Sequence, residues 1–256
     1  MTTVISVHSF RGGTGKSNST SNLAGQLCAG GARVGVVDTD IQSPGIHVLF
    51  GFADDLDGTL NDYLWGKSTI KDVAHDITSV IASTTTVADG GALFLVPSSM
   101  KAADIARVLR EGYDVGTLNE GFRELAKDLE LDYLLIDTHP GLNEETLLSI
   151  TISDILLLIL RPDRQDFQGT AVTVDVARKL GVPDLFLIVN KVPSGIDLDD
   201  LEAQMTAAYA AETAAILPLS EEVVQNASAG LFSLTSPDHE WSNQIRRSAS
   251  RVTQSS

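Results

Sequence analysis

Cysteine is nearly absent: Cys28 is the single one in 256 residues. One thiol can neither close a disulfide within the chain nor supply the ligand set of a structural zinc or a cysteine-bound cluster, so a reducing compartment is expected. Aromatic residues are scarce as well, at 5% against 43% hydrophobic residues overall. That balance suits a layered Ala/Val/Leu/Ile core better than an aromatic stacking surface. Long apolar runs are missing. The longest, 155-ILLLIL-160, is far short of the roughly 20 residues that span a bilayer, and no basic start leads into an apolar stretch, so a cytoplasmic protein is expected. Positive charge is in deficit, with Lys and Arg numbering 18 against 34 Asp and Glu, a net −16. Uniform attraction to nucleic acid or anionic lipid is therefore excluded, and DNA binding would need a local patch. There is no G-x-S-x-G elbow for a serine hydrolase. The five histidines show no paired metal-ligand spacing and read as surface or packing residues.

What is present is a regular alternation. Short β-branched or leucine-rich runs at 4-VISV-7, 34-VGVV-37, 93-LFLV-96, 133-YLLI-136, 155-ILLLIL-160, 185-LFLIV-189 and 215-AILP-218 are separated by segments of helical period. The runs lack polar alternation, as expected of strands covered on both faces. Helices are predicted over 17–29, ending at Gly30–Gly31, over 102–112 and over 116–129. The fold class is α/β, a mostly parallel central sheet flanked by helices on both faces, formed by a single domain over 1–256 with a C-terminal helix and tail at 238–256. The least regular part is 41–92, where 82-ASTTTVADGGA-92 reads as a loop.

The most informative stretch is 10-FRGGTGKSN-18. The phosphate-loop pattern G-x-x-x-x-G-K-[ST] would need glycine where Phe10 stands, and the dinucleotide fingerprint G-x-G-x-x-G started at Gly13 fails at Asn18. The context nevertheless fits phosphate. A strand through Val7 runs into a turn with Gly12, Gly13 and Gly15, and Lys16–Ser17 opens a helix whose N–H groups and dipole favour an anion. Lys16 is placed to reach β- and γ-phosphates and Ser17 to ligate Mg²⁺. Two acidic segments follow strands: Asp38 and Asp40 in 36-VVDTDIQSPG-45, where the metal and an attacking water would sit, and Asp137 in 133-YLLIDTHPG-141, a position suited to holding Mg²⁺ through water. His139 in that run is read as a loop residue, not as a base.

These motifs together resemble the deviant Walker A ATPases of the ParA/MinD family, whose loop reads K-G-G-x-G-K-[ST]. Residues 11-RGGTGKS-17 match except at the first position, 38-DTD-40 matches the second motif, 136-IDTHPG-141 resembles Walker B with switch II, and the likeness runs on through 185-LFLIVNKVP-193 and 216-ILPLSEEVVQNASAG-230. The resemblance implies ATP and Mg²⁺ as ligands. Gly12, Gly13, Thr14, Gly15, Lys16, Ser17 and Asn18 would form the phosphate site; Ser17, Asp38 and Asp137 would serve the metal; Asp40 would orient the hydrolytic water; Asn190 and the backbone after Pro218 would contact adenine. In this family two protomers face each other across two ATP molecules, and the first lysine of the motif reaches into the partner's site. Here that residue is Arg11, which keeps the charge and could act in trans like an arginine finger, with different geometry. Relatives that position carboxysomes also depart at this lysine.

The implied function is a slow, partner-stimulated ATPase: an ATP-gated homodimer, released by an activator or adaptor protein, that positions or segregates a cargo. Alternatives are a P-loop small-molecule kinase or ligase, and a non-hydrolysing ATP-dependent interaction module. Redox relatives that bridge an iron–sulfur cluster need two cysteines per chain. In the tail, Trp241, Ile245, Ala249 and Val252 recur at helical spacing beside Arg246, Arg247 and Arg251. That apolar face is small for a membrane anchor and suits a packed terminal helix. The same arginines, with Arg178 and Lys179, could contribute to a DNA-binding face.

Overall fold

Apolar runs without alternation can be strands only where both faces of a sheet are covered, and this requirement organises the structure. The computed structural model describes residues 1–52, 56–226 and 228–255. Its strands are β1 (Thr3–His8), β2 (Arg33–Asp38), β3 (His75–Asp76), β4 (Ala92–Val96), β5 (Tyr133–Asp137), β6 (Ile155–Leu160), β7 (Asp184–Val192) and β8 (Glu212–Pro218). The helices are α1 (Lys16–Ala29), α2 (Ile46–Leu49), α3 (Leu60–Leu64), α4 (Thr78–Ala82), α5 (Ala102–Glu111), α6 (Val115–Asp128), α7 (Glu144–Thr151), α8 (Arg164–Leu180), α9 (Leu198–Tyr209), α10 (Glu221–Gln225), α11 (Phe232–Thr235) and α12 (Glu240–Ser255).

Among the described residues the strands form one sheet in the order β3-β4-β2-β5-β1-β6-β7-β8. Every neighbouring pair is parallel except the short β3 against β4. The central strand β1 lies between β5 and β6, so the chain order reverses around it, and the crevice outside its carboxyl end is where this architecture binds ligands.

The run at β6 shows how the layers are built. Ile155, Leu157 and Ile159 face a cluster shared with Leu23, Leu27, Trp241 and Ile245 of α1 and α12. Their neighbours Leu156, Leu158 and Leu160 face a second cluster with Val174 of α8 and Leu201 and Met205 of α9. A third cluster joins Val37, Phe94 and Ile136 to Leu118, Phe122 and Leu125 of α6. Each strand residue thus finds apolar cover on its own side. At β1 the seam between the second and third clusters is polar: Ser6 Oγ donates to the Ser149 carbonyl of α7 (3.0 Å), and Ser153 Oγ lies 2.8 Å from Ser6 Oγ.

The predicted long helices are found within a residue of their expected limits, at Lys16–Ala29, Ala102–Glu111 and Val115–Asp128. The segment 41–92 is more ordered than expected. It holds α2, α3, α4 and the edge strand β3, each too short for periodicity to register. Local chemistry accounts for α3, which starts at a capping box in which Asp62 accepts from the Thr59 N–H (3.2 Å).

The tail is a packed helix. Trp241, Ile245 and Val252 of α12 are buried, Ala249 packs against the same cluster, and the Trp241 ring meets Phe232 edge-on at 5.9 Å. Its arginines are occupied: Arg247 pairs with Glu202 and Arg251 with Glu212 at 2.8 Å each, and Arg246 bonds Asn243. On α8, Lys179 pairs with Asp175 (2.7 Å) and Arg178 donates to the carbonyls of Tyr209 and Ala210. Among the described residues no helix is long and apolar enough to cross a membrane. Ile245→Ala is expected to lower the unfolding free energy by about 2–4 kcal/mol in denaturant titration. A loss below about 0.5 kcal/mol, typical of surface substitutions, would contradict the packed role of α12.

Candidate functional site

Leaving β1 at His8, the chain turns through residues 9–15 and enters α1 at Lys16. Gly15 is required at that entry: its φ is 93°, and a Cβ there would collide with the Asn190 amide. Neither a side-chain cap nor an acidic residue occupies the first turn of α1. Its leading N–H groups and the positive end of the helix dipole are therefore available to an anion.

Lys16 is buried at 7% exposure, and its ammonium donates to Asp137 Oδ1 at 3.0 Å. Thr20, one turn along α1, donates to the same oxygen (3.2 Å). Asp137 Oδ2 is buried and has no partner. Directly across the β2–β5 ladder stands Asp38, in register with Asp137. Its carboxylate accepts from the backbone of Asp40 (3.0 Å) and Gly45 (3.1 Å), and Ser98 holds its carbonyl at 2.7 Å. Burial, with the Asp137 charge next, pushes the Asp38 carboxyl up to about 7.

Two buried carboxylates, one with an orphaned oxygen, form an arrangement that a divalent cation would satisfy. Among the described residues no three His, Cys, Asp or Glu side chains gather into a self-sufficient metal cage. Mg²⁺ here would have to bring phosphate and water ligands, as it does with a nucleotide. The buried carboxylates of Asp38 and Asp137 would fit a nucleotide-borne Mg²⁺.

Asp40 lies beside this pair, with Oδ2 3.9 Å from the Lys16 ammonium and Oδ1 2.6 Å from His139 Nδ1. His139 does lie in a loop, as expected, and it is bonded there to the residue expected to orient water. That contact was not read from the sequence, because folding joins the ends of β2 and β5, an adjacency that local spacing does not display. His8 is buried too. Its Nδ1 meets Thr138 Oγ1 at 2.8 Å, and burial, with Lys16 next, pushes the imidazole down to about 3, which keeps it neutral.

A family profile described as an AAA domain, AAA_31, matches residues 2–185, well over half of the chain. The chain belongs to that family. An ATP-binding protein of Methanocaldococcus jannaschii is 29% identical over 195 residues, which are 75% of this chain and 65% of that protein, so the chain spans less than two thirds of that relative. An iron–sulfur cluster carrier protein of Pseudomonas fragi is 24% identical over 241 residues, 89% of this chain and 76% of the relative. The cell division ATPase MinD of Pyrococcus furiosus shares the fold over 100% of both chains, with a TM-score of 0.81 at 22% identity.

Against the ParA/MinD pattern, the departures become specific. Arg11, in place of the motif's first lysine, folds back within its own protomer, bonding Gln165 and lying 3.8 Å from Asp166 at the start of α8. Beside it Phe10 packs so closely on Gly169 that a Cβ there would enter the ring. Asn190 is fully engaged: its amide donates to the Thr14 carbonyl (2.8 Å) and accepts from the Lys191 N–H (2.8 Å). In the structure it braces the loop. Lys191, which the sequence did not single out, adopts a left-handed φ of 58° and donates to the Gly13 carbonyl at 2.8 Å. Pro218 lines a cleft of about 560 Å³ with Pro193, Ile196, Leu219, Glu222 and His239, beyond the ends of β7 and β8.

The raised Asp38 value fixes the sign of a pH effect. The unfolded chain releases this proton near pH 4 and the folded protein near 7, so the folded state binds more protons in that window. Stability from this group therefore falls as pH rises from about 4 to about 7. Asp38→Asn is expected to raise the nucleotide-free Tm at pH 8 by about 2–4 °C, on the order of 1 kcal/mol, with the difference gone near pH 4. A variant melting at or below wild type at pH 8 would show that the buried charge carries no cost.

Proposed function

We propose that the protein is a Mg²⁺-dependent ATPase that dimerises with ATP bound and uses hydrolysis as a timer for positioning or segregating a cargo. The observation that carries this reading is the buried Lys16–Asp137 pair beneath the uncapped N-terminus of α1, with Asp38 and Asp40 alongside. Phosphates entering the loop would meet the α1 N–H groups, and Lys16 would exchange Asp137 for their oxygens. Bound Mg²⁺ supplies neutralisation of charge on the β- and γ-phosphates. Ser17 and Asp137 would hold the metal, the latter through water, with Asp38 behind them. Asp40 would orient the attacking water, and the cleft at Pro218 would receive adenine.

Dimerisation has a candidate surface. Phe10, at 37% exposure, and Val172, at 49%, line the same surface cleft as Arg11, so apolar area lies beside a partly exposed cation. In the dimer Arg11 would exchange Gln165 and Asp166 for the partner's phosphates, and its several N–H donors suit that role. An activator or adaptor protein is the preferred partner. The basic residues considered for DNA are engaged by neighbouring groups, and the apolar face of α12 is spent on the core. Cluster carriage, the named role of the Pseudomonas fragi relative, has little support here, because Cys28 is buried and is the only cysteine in the chain.

Lys16→Ala is expected to abolish binding of a fluorescent ATP analogue. Asp40→Ala should bind it with near-wild-type affinity while phosphate release falls by about two orders of magnitude or more. Normal phosphate release by Asp40→Ala would remove Asp40 from the hydrolytic role.

A further inference from the structure

We propose that His139 is a positioning residue for hydrolysis, holding the Asp40 carboxylate in the orientation that serves the attacking water. This rests on the ATPase reading and on Asp40 as the group that orients that water. A carboxylate has a broad, roughly two-fold terminal torsion, so an untethered Asp40 would distribute its oxygens between several directions. His139 removes that freedom by binding Oδ1 at 2.6 Å, which leaves Oδ2 as the oxygen on the Lys16 side, 3.9 Å from the ammonium. An ionised carboxylate only accepts, so Nδ1 must carry a proton.

The backbone that carries His139 is itself held. The His139 carbonyl accepts from Thr146 Oγ1 (3.2 Å), Asn143 caps α7 by accepting from the Thr146 N–H (2.8 Å), and the Gly141 N–H donates to the Ser9 carbonyl (3.2 Å). The segment after β5 is thereby tied to α7 on one side and to the start of the phosphate loop on the other. Thr39 ties the segment after β2 to the Asp137 carbonyl through its N–H and hydroxyl (3.0 Å each), and the 2.6 Å contact of His139 is the one that reaches the Asp40 carboxylate. Asp40 is correctly aimed only when both segments are in place. His139 therefore makes hydrolysis conditional on the joint ordering of 38–47 and 137–145.

The test combines nucleotide binding, single-turnover hydrolysis and imidazole nitrogen NMR on the full chain. His139→Ala is expected to leave ATP affinity within about twofold of wild type and to slow single-turnover hydrolysis on the order of tenfold to a hundredfold, the scale of a misplaced catalytic group. His139→Asn, whose side-chain N–H can stand near the position of Nδ1, should recover most of that loss. His139→Gln, with its donor displaced toward the Nε2 position, should not. NMR should find His139 protonated on Nδ1 in wild type and released from that tautomer in Asp40→Ala. Wild-type hydrolysis by His139→Ala, or a wild-type His139 that lacks a proton on Nδ1, would overturn the inference while leaving the ATPase reading intact. A wild-type protein that binds ATP and never hydrolyses it would instead refute the ATPase reading, and this inference with it.

Discussion

The ion pair between Lys16 and Asp137 is the contact on which the site depends. Both groups are nearly dry, at 7% and 1% exposure, and neither would be tolerated alone in that place. Paired, they join the first turn of α1 to the end of β5 and hold the phosphate loop closed over the sheet. The pair leaves one Asp137 oxygen without a partner and sets Asp38 across the ladder against a second negative charge. The unmet demand is for positive charge and for hydrogen-bond donors, while the uncapped α1 terminus demands an anion. A phosphate group carrying a divalent cation answers both.

The rest of the fold supplies stiffness where the pair needs it and freedom elsewhere. Strands β1, β5 and β6 are covered by apolar clusters, and α1 is pinned to the same core as α12. By contrast, α7 rests on β1 through hydroxyls at Ser6, Ser149 and Ser153. Hydroxyl contacts can be exchanged at smaller cost than interlocked aliphatic side chains, and on this helix it is Ile150 that adds an aliphatic anchor to the core. Arg11 is also held by exchangeable polar contacts, on the side of the loop away from the core.

Much of this was legible in sequence, and the unread parts share a physical cause. Strand positions, the loop from Gly12 to Ser17 and the acidic ends at Asp38 and Asp137 were readable because each is encoded locally, by an apolar run and the residues directly after it. The Asp40–His139 bond was not, since its members are 99 positions apart and only the β2–β5 pairing brings them together. The same applies to Arg11, whose partner Gln165 stands 154 positions away. The α12 arginines could be considered for a DNA-binding face because their partners Glu202 and Glu212 belong to other elements of the chain. Between 41 and 92, helices of one turn or so carry too few residues for a period to emerge, and only the Thr59–Asp62 cap left a local trace.

In the proposed switch ATP, and not ADP, brings two protomers together across this loop with Arg11 as the residue in trans. Light scattering after size exclusion, on wild type and Arg11→Ala with Mg²⁺ and either nucleotide, tests it most directly. The account predicts a dimer for wild type with ATP alone, weakened in Arg11→Ala. A wild-type monomer in every nucleotide state would contradict it.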